Sequence, residues 1–209
     1  MTKLETNYKS IVQHYEKCFN KYGDSHLGVD WPNKEDVIKR YDIMMGLLTK
    51  SNKKISILDF GCGLAHFYEY ILDANREDIN YSGLDLSKNM IDASKKKFQN
   101  IPFYTIDILK DDDIPTFDYV IMNGVFTEKL ELEHDEMFNY LKQLLKVLYK
   151  KVKIGLAFNV MSINVDWERE DLFHLSLDKL TAFISKELSR NFIIRNDYGL
   201  YEYTTYIYK

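Results

Sequence analysis

The sequence predicts an α/β fold, a mostly parallel sheet with helices on both faces. Three observations carry this reading. Short apolar runs with the period of strands alternate with runs of helical period along most of the 209 residues. A glycine turn, Asp59-Phe-Gly-Cys-Gly63, joins the first strand-like run to a helical one. The last two strand-like runs are separated by a short turn, so they must lie antiparallel, because a parallel return needs a long crossover.

Taken in order, Leu4, Tyr8, Ile11, Val12, Tyr15 and Phe19 fall on one face of a first helix. Gly23, Gly28 and Pro32 then break the pattern over residues 22–33. Asn33 suits the N-cap of a second helix whose apolar face is Val37, Ile38, Tyr41, Met44, Met45 and Leu48. Ile55–Phe60 reads as a short strand and residues 64–72 as a helix. A strand over Ile79–Leu84 precedes Ser87, which caps a helix running to Phe98. Further strands are expected over 101–106, 117–122 and 152–160. Met137, Leu141, Leu144, Leu145 and Leu148 mark one more helix, and Leu180, Phe183, Ile184 and Leu188 another. Strands over 192–196 and 201–208 close the chain around the turn Asp197-Tyr-Gly199. Alternation sets Tyr201, Tyr203 and Thr205 on one face of the last strand, and Glu202, Thr204 and Tyr206 on the other. The tyrosine hydroxyls are expected to reach solvent. No repeat or Pro/Gly/Ser linker interrupts the sequence, so one domain over 1–209 is expected, with residues 1–50 as a helical cap within it.

Composition narrows the function. Hydrophobic residues make up 45% and charged residues 29%, as in ordinary soluble domains. A net charge of -4 gives no electrostatic case for nucleic acid as a partner. The two cysteines, Cys18 and Cys62, have no metal-ligand spacing and are too few for a disulfide scaffold, which points to a reducing cytoplasm. The first ten residues lack the apolar core of a signal peptide, and no apolar run approaches the ~20 residues of a membrane span. The five histidines form no His-Glu-x-x-His or similar cluster, so no metal is expected.

Ligands of open α/β sheets bind beyond the carboxyl ends of the strands. Gly61 and Gly63 there permit a tight turn and a close approach of ligand to backbone. A bare Gly-x-Gly fits either a dinucleotide or S-adenosylmethionine. His66, however, stands where the third glycine of the dinucleotide fingerprint belongs. Asp59 suits an ammonium group and repels a pyrophosphate. Asp85, at the end of the second strand, is placed to accept hydrogen bonds from ribose hydroxyls. Asp107 and Ile108, at the end of the third, are placed for one polar and one apolar contact to an adenine.

At this point a resemblance becomes specific. Ile57-Leu-Asp-Phe-Gly-Cys-Gly63 resembles the first motif of class I S-adenosylmethionine-dependent methyltransferases. Gly83-Leu-Asp-Leu-Ser87, with Met90, resembles the segment closing on ribose and adenine, and Thr105-Ile-Asp-Ile108 the adenine-side motif. Phe117-Asp-Tyr-Val-Ile-Met122 resembles the fourth strand, which ends beside the reacting groups. The resemblance spans about residues 55–160. It implies a Rossmann-like seven-stranded sheet with an antiparallel last strand and an N-terminal helical lid. It also implies S-adenosylmethionine as methyl donor and S-adenosylhomocysteine as product. The expected donor-binding set is Asp59, Gly61, Cys62, Gly63, Asp85, Leu86, Met90, Asp107, Ile108, Asn123 and Gly124, with Trp31 and Arg40 from the lid.

The acceptor site is expected over the fourth and fifth strand ends. Phe126, Asn159 and Tyr201 are candidate substrate contacts, and Glu128, His14 and His26 candidate acid/base groups. Tyr22, like Trp31, could meet the sulfonium by a cation–π contact, and the Arg40 fork suits the methionine carboxylate. Asn123-Gly-Val-Phe126 departs from the Asn/Asp-Pro-Pro-Tyr/Phe motif of nucleobase methylases. The expected partner is thus a small-molecule acceptor methylated on oxygen or nitrogen, such as a sugar or surface-glycan precursor, with neither nucleic acid nor membrane; a homodimer is compatible. The alternatives are an NAD-type oxidoreductase and a non-catalytic binding protein that keeps the fold.

Overall fold

The computed structural model describes residues 3–48 and 53–209, the side chains of residues 3–7 excepted. Helix α1 (Lys3–Tyr22) leads through a short 3-10 turn (His26–Val29) into α2 (Lys34–Met45), whose N-cap is Asn33 as expected. Strand β1 (Ile55–Phe60), α3 (His66–Asp73), β2 (Ile79–Leu84), α4 (Lys88–Lys97) and β3 (Phe103–Tyr104) form the first half. Strand β4 (Phe117–Phe126), α5 (His134–Lys151), β5 (Val152–Ser162), β6 (His174–Leu175), α6 (Leu177–Glu187), β7 (Phe192–Arg195) and β8 (Glu202–Tyr208) form the second.

The main path of the sheet is β3-β2-β1-β4-β5-β8-β7, with the two-residue β6 paired to β5 off that path. Strands β1 to β5 run parallel, and β8 is antiparallel to both β5 and β7. The short turn before β8 forces this reversal. The architecture expected from the sequence is therefore present, with β6 as an addition.

Alternation along the strands builds two cores. Leu58, Val120, Met122, Leu156 and Phe158 pack toward α5, α6 and the α1 residues Tyr8 and Ile11. Ile57, Tyr119, Ile121 and Ala157 pack on the opposite face toward α2 and α3. The α1 face matches the helical spacing, although the side chain of Leu4 lies outside the described residues.

Several boundaries differ from the sequence reading. Helix α3 begins at His66, because Ala65 before it is left-handed (φ 58) and closes the glycine turn. The strand expected over 101–106 pairs only at Phe103–Tyr104, where the sheet edge offers a single neighbour. Strand β4 continues beyond Met122 to Phe126, with a register shift against β5 between those residues. Gly124 takes φ 82 inside this irregular stretch. Such bulges re-aim side chains beside binding sites. The tail tyrosines also differ: Tyr203 donates to the Leu175 carbonyl and Tyr206 to the Ile43 carbonyl, both buried. Only Tyr201 is largely exposed among the tyrosines of β8 and its leading turn.

Candidate functional site

A cavity opens at the carboxyl ends of β1, β2 and β4, where the strand order reverses, and α1 covers it. Gly61, Gly63, Asp85, Leu86, Met90, Asn123 and Gly124 line it from the sheet side. Tyr8, Ile11, Val12, Tyr15, Val29 and Trp31 line it from the cap. A smaller adjoining cavity reaches Asp59, Cys62 and His66, and shares Gly61, Gly63, Trp31 and Asn123 with the first.

The glycines act as a cradle. Gly61 and Gly63 adopt φ 77 and 50. The Gly61 and Cys62 amides both donate to the Leu84 carbonyl, at 2.7 and 3.1 Å, which folds the turn over the end of β2. A Cβ on Gly61 would stand 2.7 Å from Val125 Cγ2. Asp85 accepts the Gly63 amide at 2.9 Å on one oxygen and the Ser87 amide at 2.8 Å on the other. It thereby ties the turn to the N-terminus of α4, where Ser87 caps the Met90 amide. Burial pushes the Asp85 carboxyl up, against the pull of these backbone donors.

Asp59 is buried and accepts a 2.6 Å hydrogen bond from the Tyr81 hydroxyl. Burial raises its carboxyl to about 7; the Tyr81 bond opposes this and the Asp85 charge adds to it. Beside it, Asn123 Oδ1 is buried and has no hydrogen-bond partner among the described residues, an acceptor calling for a donor. His66 is held 2.7 Å from Asp24, and Lys97 also binds Asp24. A side chain of that size fills the position that a dinucleotide fingerprint keeps as glycine.

The cap is tied down at both ends. The Tyr8 hydroxyl donates to Asp107, and its ring stacks on Tyr140 at 5.1 Å. Glu16 accepts from the Ser87 hydroxyl at 2.8 Å. His26 hydrogen-bonds the Trp31 carbonyl at 2.6 Å, so it fixes a cavity residue and does not face the cavity itself. The Arg40 guanidinium lies 4.2 Å from the Trp31 ring, on an ion pair with Glu202. Tyr22 is exposed and lines neither cavity.

Several expected positions are therefore corrected. Asp107 is engaged by Tyr8 and Lys110, and Ile108 is packed in the core; neither lines the cavity directly. Phe126 is fully buried edge-on against Tyr140 and Phe158, because the bulge turns it inward. Asn159 is also fully buried, its amide divided between Gly124 and Glu202. Tyr201 lies in a separate depression with Asp166, Trp167 and Arg169, and its hydroxyl donates to Asp166 at 3.0 Å.

A polar group gathers near Tyr15, and none of its members lines the cavity. His14 Nε2 is 2.7 Å from an Asp30 carboxylate oxygen. Cys18 brings its sulfur within 4.8 Å of both ligand atoms, although His14 and Asp30 already satisfy one another. Glu128 pairs with Leu172 through a backbone bridge and feels Asp30, Asp171, Arg169 and His14. Burial first, then the Asp30 and Asp171 charges, raises its carboxyl to about 7. Tyr15 lines the cavity, and its hydroxyl senses Glu128 and Asp30. Sequence reasoning missed Asp30, Tyr140, Glu16 and Glu202. The 3.6-residue period signals Tyr140 only as core, and nothing local marks the other three.

The comparisons agree with this geometry. A methyltransferase-domain family matches residues 58–154. A Mycobacterium tuberculosis protein named as a methyltransferase is 28% identical over 159 residues, covering 74% of this chain and 93% of that protein. Magnesium protoporphyrin IX methyltransferase from Synechocystis PCC 6803, crystallised with S-adenosylhomocysteine, superposes with a TM-score of 0.66 at 14% identity over 96% of this chain and 99% of that one. An N-methyltransferase from Bradyrhizobium japonicum, in complex with the same product, gives 0.65 at 14% identity over 94% and 97%. Strand order, the glycine turn and these likenesses together give the chain the fold of the class I S-adenosylmethionine-dependent methyltransferases, with a methyltransferase-domain sequence match over its central part.

Proposed function

We propose that this methyltransferase moves a methyl group from S-adenosylmethionine to an oxygen or nitrogen of a small-molecule acceptor that enters beside Tyr15. The observation that carries the reading is a cavity lined by Gly61, Gly63 and Asp85 together with Tyr15, whose hydroxyl feels the charges of Glu128 and Asp30 behind it. When bound, the donor supplies an electrophilic methyl on a sulfonium. The chain's residues supply position and proton management.

On this reading the Gly61–Gly63 turn would hold the donor from below, Asp85 would accept from its ribose hydroxyls, and Met90 and Leu86 would offer apolar surface to its adenine. Asp59 and the unpartnered Asn123 Oδ1 suit an ammonium group, which brings donors and positive charge. Trp31 presents an aromatic face to the same end of the cavity. Tyr15, set between the cavity and the acidic group, orients the acceptor. Glu128 takes the acceptor's proton, and the His14–Asp30 pair relays it outward. An acceptor held in line near ~3–3.5 Å from the methyl carbon needs little more. The Bradyrhizobium N-methyltransferase supports a nitrogen acceptor by likeness.

Calorimetric titration with S-adenosylhomocysteine tests the donor site. Wild-type protein is expected to bind one equivalent, and Asp85→Ala to lose at least tenfold in affinity. Undiminished affinity in Asp85→Ala would overturn the assignment. Incubation with isotopically labelled methyl donor and a panel of amine and hydroxyl acceptors then identifies the methylated atom.

A further inference from the structure

We infer that Glu202, in the C-terminal strand β8, is a positioning residue that holds two walls of the donor cavity together. The inference rests on the donor-site reading above and concerns a residue remote from it in sequence. Glu202 is 1% exposed. One carboxylate oxygen, Oε2, accepts from Arg40 Nε at 2.9 Å. That guanidinium lies 4.2 Å from the centre of the Trp31 ring, a cavity wall. The other oxygen, Oε1, accepts from Asn159 Nδ2 at 3.0 Å and, at the longer distance of 3.4 Å, from the Tyr198 hydroxyl. Asn159 Oδ1 in turn accepts the Gly124 amide at 2.8 Å, and Gly124 is a second wall.

The two arms meet. A Cβ on Gly124 would stand 2.6 Å from Trp31 Cζ2, so the indole already lies against the Gly124 backbone. Glu202, Arg40, Trp31, Gly124 and Asn159 thus form a closed ring of contacts with one carboxylate at its rear. Each oxygen of that carboxylate governs one wall. Arg40 gains a cation–π contact with Trp31, which fixes the tilt of the indole. Asn159 pins the bulge that carries Asn123 and Gly124. A buried carboxylate is costly unless paired and hydrogen-bonded, and an apolar side chain would satisfy packing alone. Two of the three side-chain hydrogen bonds to this carboxylate, those from Arg40 and Asn159, lead on to the cavity-lining Trp31 and Gly124.

The chain contains two tryptophans, and Trp167 is 70% exposed in the separate depression. In a Trp167→Phe background, emission therefore reports Trp31 alone. Two variants are compared in that background, Glu202→Gln and the apolar pair Arg40→Met/Glu202→Met, which leaves no buried charge unmatched. Tyr203→Phe is the control, a buried β8 neighbour whose hydroxyl binds Leu175 outside the ring. Measurements are S-adenosylhomocysteine titration, Trp31 emission and thermal melting. Both ring variants are expected to bind at least tenfold more weakly with a red-shifted Trp31 emission. Tyr203→Phe is expected to keep affinity and emission while melting earlier. Wild-type affinity and emission in either folded ring variant would overturn the inference. Failure of the unmodified protein to bind S-adenosylhomocysteine would instead overturn the donor-site reading.

Discussion

Burial lifts two carboxyls, Asp59 and Glu128, to about 7, and the consequences differ. For Asp59, the folded protein favours the neutral acid over an unfolded value of 3.8. Its contribution to stability is intact below that value and is lost as pH rises through about 7. Three pKa units correspond to at most about 4 kcal/mol. Asp59→Asn keeps an acceptor for Tyr81 and removes the charge. It is expected to raise the melting temperature at pH 8 and leave it unchanged at pH 4. An ammonium beside Asp59 favours the carboxylate, so donor affinity should climb from pH 5 to about 7 with proton release. Calorimetry in buffers of different ionisation enthalpy measures that release, and Asp59→Asn should abolish it. Glu128 accepts a proton only when ionised, so kcat/KM is expected to rise toward about pH 7 and level above it. Glu128→Gln should lose the inflection and about 10²- to 10⁴-fold in rate. A rate profile unchanged in Glu128→Gln would remove it from the mechanism. The glycine turn after Asp59 was legible in neighbouring residues; the closeness of Glu128 to Asp30 was not, since Asp30 carries no local signal.

At the scale of elements, the irregular end of β4 does more than continue a strand. Gly124 at φ 82 turns Asn123 toward the cavity and brings the backbone against Trp31. Gly124→Ala therefore meets two penalties, the positive φ at about 1–2 kcal/mol and a collision with the indole. It is expected to lower both the melting temperature and S-adenosylhomocysteine affinity. Gly199→Ala provides the contrast, having φ 69 but open space around its Cβ position. It should lose stability by a similar conformational term and keep its affinity. Equal affinities in the two variants would show that the Trp31 contact is immaterial to binding. The sequence reading stopped β4 at Met122 because the apolar run ends there. Pairing with β5 resumes at Phe126↔Val160, beyond a polar stretch that pattern alone reads as loop. The same limit shortened β3, whose apolar run suggested more pairing than a sheet edge provides.

Across the whole molecule, α1 covers the cavity and is tethered to the segments that follow β2 and β3. It reaches Asp107 through Tyr8 and the start of α4 through Glu16 and Ser87. A cavity covered largely by α1, with Val29 and Trp31 beside it, fills and empties by local opening, so α1 should belong to the less protected part of the structure. Hydrogen exchange is expected to slow in residues 8–22 and 85–91 when S-adenosylhomocysteine binds. The central strands β1 and β5 should exchange slowly in both states. Unaltered exchange in α1 on saturation would show that the helix does not gate the cavity. Among the described residues, no helix is long and apolar enough to cross a membrane.

The sequence by itself determined the alternation of strands and helices, the reversal of the last strand, the glycine turn and the aspartates at the ends of β1 and β2. These are local matters: periodicity, turn chemistry and strand ends are written in neighbouring residues. Only the tertiary structure decided which polar groups converge. Arg40 and Glu202 pair across 162 positions, and Asn159 joins them from a third element. Tyr8 meets Asp107, which displaced an expected cavity residue into a tether. A hydrogen bond between distant segments leaves no period or spacing in the chain. Its partners become neighbours only once the two hydrophobic cores have fixed the sheet between them.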